Sequence, residues 1–221
     1  MSQIFQLSSA VNAEDLEAAV SAAAAAVANG GLVVIPTDTS YALICDAFNS
    51  EAVSLLRATK SQDQQIPLPV GAGNRATIDG IATLSELAND LANAFWPGPL
   101  TIITPSQPSV LLAVKDEDAA LSVRVPNHPI AQAVLNGIGP VAMTGAQTAG
   151  QPQVLSMEQA KQNFGDAVTI YIDGGTLSAA PSSVVIATGD NLRLVRAGAI
   201  SLDQLRAVIP TIIDATAASK N

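Results

Sequence analysis

Cysteine and histidine occur once each in this 221-residue chain, as Cys45 and His128. A single thiol excludes an internal disulfide framework, and one cysteine with one histidine excludes a structural zinc site made of these ligands. Basic residues are also scarce: ten lysines and arginines face nineteen acidic residues, for a formal net charge of −9 and a pI near 4.3. That balance argues against a broad nucleic-acid-binding surface. Mean hydropathy is +0.34, yet alanine drives much of it, and no run approaches the roughly 20 strongly apolar residues of a membrane span. The N-terminus shows no basic stretch followed by an apolar one, so no secretory signal is expected and the cytoplasm is the expected compartment. Glycine-rich phosphate loops of the Walker or Rossmann kind are missing as well.

What the chain does have is core-forming material: 48% of it is hydrophobic and 13% charged, enough for one large domain or two small ones. Asn12 is placed to cap a helix whose apolar positions Leu16, Val20, Ala23 and Val27 recur at helical spacing, with Gly30 or Gly31 ending it. A buried strand over 31–36 follows, then a helix closing near Lys60, a polar loop over 61–65, and a short proline-interrupted strand expected at an edge or beside a bend. The second half continues the alternation, with capping boxes expected at Ser156/Gln159 and Ser201/Gln204. Helices alternating with strands early, then strands in succession, predict an α/β fold with a mixed sheet. One domain is expected over 1–211, with a frayed tail over 212–221.

Polar groups gather where strands end. After the strand 31–36 come Thr37, Asp38, Thr39, Ser40 and Tyr41; Arg124, the stretch 144–148, Ser182 with Ser183, and Arg196 hold similar positions, and Lys60 arrives from a helix end. If these ends meet around one cavity, two arginines and several hydroxyls suit a phosphate and a carboxylate, since arginine binds both bidentately and lysine serves phosphate as a point charge. Each member has a plainer reading. The cluster after residue 36 fits a hydrogen-bonded turn, alternation in "LSVRVP" fits a solvent-facing Arg124, and Ser182 and Ser183 fit ordinary strand-entry hydroxyls. Cys45 reads as a small buried hydrophobe, His128 as a capping or packing residue before Pro129, and Trp96 as core packing.

The segments "IPTDTSYAL", "AFWPGPLTII", "SVRVPNHPIAQAVL", "IDGG", "PSSVV" and "LVRAGAIS" occur in this order and spacing. Together they resemble the YrdC-type family of threonylcarbamoyl-AMP synthases, across residues 14 to 209. The resemblance implies a twisted mixed sheet with flanking helices around a deep central cavity. It implies a nucleotidyltransfer that starts the tRNA modification t6A: ATP, L-threonine and bicarbonate give threonylcarbamoyl-AMP and pyrophosphate, with Mg²⁺ entering as the ATP complex and no metal site on the protein. Thr37, Tyr41, Arg124 and Ser182 would then hold threonine. Lys60, Ser122, Thr144, Gln147 and Arg196 would face the nucleotide, with Lys60 the candidate catalytic group. Other t6A-pathway proteins are possible partners, as is RNA, which the net charge does not support.

Departures from the family pattern accompany the matches. Where the family reads Lys-x-Arg and Ser-x-Asn, this chain has Lys60, Ser61, Gln62 and Gly145, Ala146, Gln147. Gln62 cannot replace an arginine's charge, whereas Thr144 offers a hydroxyl and Gln147 keeps an amide on a longer stem. Ala42 and Ile44 stand where the family prefers glycine, and are expected to narrow the cavity. These departures keep a second function open, that of a catalytically weakened paralogue binding a nucleotide, RNA or a protein partner.

Overall fold

The computed structural model describes residues 1–7, 12–63, 67–114, 120–178 and 180–217. The end of the polar loop 61–65 and the last four residues of the expected tail therefore lie outside the described residues. In chain order the elements are β1 Gln3–Gln6, α1 Ala13–Ala28, β2 Val33–Pro36, β3 Tyr41–Asp46, α2 Ser50–Thr59, β4 Val70–Gly71, α3 Arg75–Asp79, α4 Glu86–Phe95 and β5 Leu100–Pro105. Then follow β6 Ala120–Arg124, α5 Pro129–Ile138, β7 Val141–Gly145, α6 Met157–Phe164, β8 Ile170–Asp173, β9 Ser183–Ile186, β10 Arg193–Arg196, α7 Leu202–Val208 and β11 Ile213–Asp214. The strands form one mixed eleven-stranded sheet in the order β1-β8-β2-β3-β7-β4-β6-β5-β9-β10-β11.

Local chemistry sets the helix starts. Asn12 accepts from the Asp15 N–H, Asn49 from those of Glu51 and Ala52, and Ser85 from that of Ala88, each satisfying donors that the first turn leaves without intrahelical partners. The expected box at Ser201/Gln204 is complete. At Ser156 it is not: the hydroxyl accepts from Gln159 N–H, but the Gln159 side chain accepts from Leu155 instead of the Ser156 backbone.

Two layers cover the sheet unequally. One face carries the larger core, with Leu100, Ile102, Leu121, Val123 and Val185 among its buried members, packed on one another and on α2, α4, α6 and α7. The opposite face carries a second core, in which Ala19 and Ala23 of α1 and Ile130 and Val134 of α5 cover Val33, Ile35, Ala42, Ile44 and Ile170. None of the described residues of β5, β6 and β9 belongs to this second core. On that face, half of the sheet is roofed by helices and half is left for something else.

Three expectations are corrected. The strand expected at an edge or beside a bend is β4: the chain does bend just after it, at Gly73 and Asn74, but the strand lies inside the sheet between β7 and β6; it is only two residues long, and Pro69 just before it contributes its carbonyl to the Met143 N–H, a bond that needs no proline donor. Ordered chain runs past residue 212, where β11 pairs parallel with β10 and Ile212 and Ala215 are buried. Ala42 and Ile44 do not narrow a cavity: period-two alternation in β3 sends them into the second core.

Candidate active site

On the unroofed half of the sheet lies a cavity of about 370 Å³. Alternation selects its walls: Leu100 and Ile102 point into the larger core, so Thr101 faces the cavity, as do Ser122 and Arg124 of β6, Val184 of β9, and Ser182 just before it. Met143, Thr144, Gly145 and Gln147 close one side, Thr39 and Ser40 another, and Arg196 stands at the open rim.

Arg124 is only 7% exposed, which settles the solvent-facing alternative. Its Nε donates to the Gly98 carbonyl at 3.1 Å, Nη1 to Thr39 Oγ1 at 2.9 Å and Nη2 to Asp38 Oδ1 at 2.6 Å. Burial pulls its pKa down and the Asp38 carboxylate pulls it back up. Arg196 lies across the cavity, its Nε donating to the Ser182 carbonyl at 3.0 Å and Nη2 to Ser182 Oγ at 2.8 Å. That hydroxyl also meets Thr101 Oγ1 at 3.0 Å. Arg196 is lowered by burial and then by the Arg124 charge, so the two guanidiniums feel each other. Among the described residues Arg124 has a carboxylate partner and Arg196 has none within salt-bridge distance.

Of the nine residues singled out by sequence, Ser122, Arg124, Thr144, Gln147, Ser182 and Arg196 share this lining. Thr37, Tyr41 and Lys60 stand behind it. The Thr37 hydroxyl donates to the Ser40 carbonyl at 2.6 Å and accepts from the N–H groups of Thr39 and Ser40, so it shapes the turn that presents Thr39 and Ser40. Tyr41, fully buried, shares its single hydroxyl hydrogen between the Gly175 carbonyl at 2.7 Å and Asp173 Oδ1 at 3.0 Å and accepts from Gly174 N–H; burial raises its pKa. Lys60, 4% exposed, donates to the carbonyls of Gly145 and Gln147, and burial pushes its pKa down to about 8.

Asp38, Thr39, Ser40, Thr101 and Gln153 are the site groups that sequence reasoning did not assign. Thr39, Ser40 and Asp38 belong to the polar cluster after residue 36, and Thr101 was legible from alternation in "LTIITP". Gln153 left no such signal. The plainer readings hold elsewhere. Cys45 is buried, with its thiol pushed up to about 12. Trp96 packs against the larger core and donates to the Leu100 carbonyl at 2.7 Å. For His128 the capping half of its reading fails: it occupies the N-cap position of α5 without a capping bond.

Fold and cavity together define an α/β protein with a hydroxyl-lined, two-arginine cavity on the uncovered half of a sheet face. The chain belongs to the Sua5/YciO/YrdC family, whose model, described as telomere recombination, matches residues 25–198. A Mycobacterium tuberculosis protein provisionally named a threonylcarbamoyl-AMP synthase is 35% identical over 189 residues, 85% of this chain and 87% of that one. The Bacillus subtilis threonylcarbamoyl-AMP synthase is 30% identical over 197 residues, 87% of this chain but 57% of its own length. The crystal structure of Pyrococcus abyssi Sua5 complexed with L-threonine superposes with a TM-score of 0.89 at 26% identity, over 99% of this chain and 64% of that one. The chain thus spans less than two thirds of the last two proteins.

Proposed function

We propose that the protein is a threonylcarbamoyl-AMP synthase, joining L-threonine, bicarbonate and the AMP moiety of ATP with release of pyrophosphate. The observation that carries this reading is the convergence of Arg124 and Arg196 on one cavity otherwise lined by hydroxyls. A carbamate oxygen attacking the α-phosphorus develops charge on phosphate oxygens and on the leaving pyrophosphate, and fixed cations and donors are what stabilise it. Arg196, with no carboxylate partner among the described residues, is the better placed cation for phosphate. Three of the five Arg124 N–H groups already have acceptors, which leaves it two for the threonine carboxylate beside Ser182.

Thr37 and Tyr41 enter this reading as supports of the threonine side. Lys60 enters as the clamp on the backbone of Gly145 and Gln147, its ammonium kept close to the nucleotide side. Mg²⁺ arrives with ATP; among the described residues no three His, Cys, Asp or Glu side chains come together to hold a resident ion. Two features bear on the wider setting. No helix among the described residues is long and apolar enough to cross a membrane, which agrees with a cytoplasmic site of action in tRNA modification. Arg57, Lys60 and Arg124 are buried, which withdraws three of the ten basic residues from contact with RNA.

The test is pyrophosphate release that requires ATP, threonine and bicarbonate together, with threonylcarbamoyl-AMP identified by mass spectrometry. Omission of either threonine or bicarbonate should abolish it. ATP binding with no such product overturns the synthase reading in favour of a nucleotide-binding paralogue; Gln62, Gly145 and Gln147 are the residues that would explain that result.

A further inference from the structure

Gln147 is the one cavity-lining side chain with a buried acceptor lacking any hydrogen-bond partner among the described residues: its Oε1 is desolvated and unpaired. The reason lies two residues earlier. A Cβ placed on Gly145 would stand 2.2 Å from Gln147 Oε1 and 2.9 Å from both Cδ and Nε2. The carboxamide therefore rests on the bare Cα of Gly145, in the volume any other residue's side chain would fill. Lys60 fixes the two backbone carbonyls behind this contact, so the strand end is held, and the Gln147 amide is joined to it through three rotatable bonds. Of the other polar side chains around the cavity, Arg124 and Arg196 only donate, whereas the hydroxyls of Thr101, Ser122, Thr144 and Ser182 can donate or accept, that of Ser182 already accepting from Arg196. An unpaired buried oxygen carries a desolvation cost that a partner would remove.

Resting on the nucleotide reading of this cavity, we propose that Gln147 is a specificity-determining residue that swings off Gly145 to accept a hydrogen bond from a neutral donor of the bound nucleotide. Phosphate oxygens, which lack a hydrogen to donate, do not answer Oε1. The donors a nucleotide does carry are the ribose hydroxyls and the base amino group, and the shared chemistry is a neutral O–H or N–H. A site that hydrogen-bonds a donor discriminates against the analogue lacking it, because the buried acceptor is then stranded.

Calorimetric titration of the full chain with ATP, 2′-deoxy-ATP, 3′-deoxy-ATP and purine riboside triphosphate separates the sources. The wild type should bind one of the three analogues about tenfold more weakly than ATP, equivalent to about 1.4 kcal/mol. In Gln147→Met, which keeps the stem and removes the amide, that gap should close to within about twofold while ATP itself weakens. Gln147→Ala gives a second reading should the methionine perturb folding, and thermal melts of both variants check the fold. An undiminished gap in the variants overturns the inference. So does equal weakening of all four nucleotides by Gln147→Met, which would put the amide Nε2 on a phosphate oxygen. Wild type that binds all four alike removes the inference and leaves the nucleotide reading intact; wild type that binds none removes both.

Discussion

Arg124→Ala tests how the site is held together, because that one guanidinium joins three separate segments. The substitution deletes donors to Gly98 O, Thr39 Oγ1 and Asp38 Oδ1. Asp38, whose side chain is 13% exposed, is then a largely buried carboxylate with neither oxygen partnered, since its Oδ2 already lacks a hydrogen bond. Removing one partner of a buried ion pair costs about 3–5 kcal/mol, most of it from the stranded charge. At about 2–4 °C per kcal/mol for a domain of this size, the melting temperature should fall by about 6–20 °C. Asp38→Asn combined with Arg124→Ala removes the stranded charge and should recover about 2 kcal/mol of that loss. Arg124→Lys keeps the charge but not the fork, so it should lie between wild type and alanine. Urea unfolding and thermal melts of the single variants, the double variant and wild type give the full cycle. An Arg124→Ala protein within about 1 kcal/mol of wild type, or a double variant that is additive within about 0.5 kcal/mol, would refute the reasoning. The ion pair would then be incidental to the fold.

Other outcomes follow from neighbouring contacts. Burial pushes Lys60 down to about 8, below the usual value of about 10.4; between those limits the unfolded chain binds the extra proton, so stability rises with pH there. The melting temperature of wild type minus that of Lys60→Met should climb from pH 8 to pH 10, and parallel curves would contradict the assignment. Tyr41→Phe strands Gly175 O and Gly174 N–H and should cost about 1–3 kcal/mol in chemical unfolding. Ser183→Ala should cost a similar amount, because that buried hydroxyl donates to Ile200 O and accepts from Gly198 and Ile200 N–H. Gly145→Ser sets a Cβ against the Gln147 amide and should destabilise by about 0.5–1.5 kcal/mol as the amide is forced off its rotamer. Adding Gln147→Asn, with its shorter stem, should restore wild-type stability; strict additivity would show that the amide does not pack there.

The α/β class, much of the alternation of helices and strands and several helix caps were legible in the sequence, because they depend on residues a few positions apart, whereas β1 and β3 were not read. Apolar runs such as Val33–Pro36, and side chains such as Asn12 and Ser201 at helix starts, act within one turn of chain. Local pattern also marked Arg124, Ser182 and Arg196 as candidates at strand ends. It did not say which of the marked groups face a ligand. Lys60 turns to carbonyls 85 and 87 positions away, and Tyr41 to Asp173, 132 positions away; nothing within either residue's own segment specifies such a partner. Nor did local pattern show that β4, though proline-flanked, sits between β7 and β6, or that Ile213–Asp214 extends the sheet. The cavity itself is a tertiary product. It exists because α1 and α5 cover the second face over β8, β2 and β3 and stop short of β5, β6 and β9. There, period-two alternation turns hydroxyls and arginines toward a space that no helix fills.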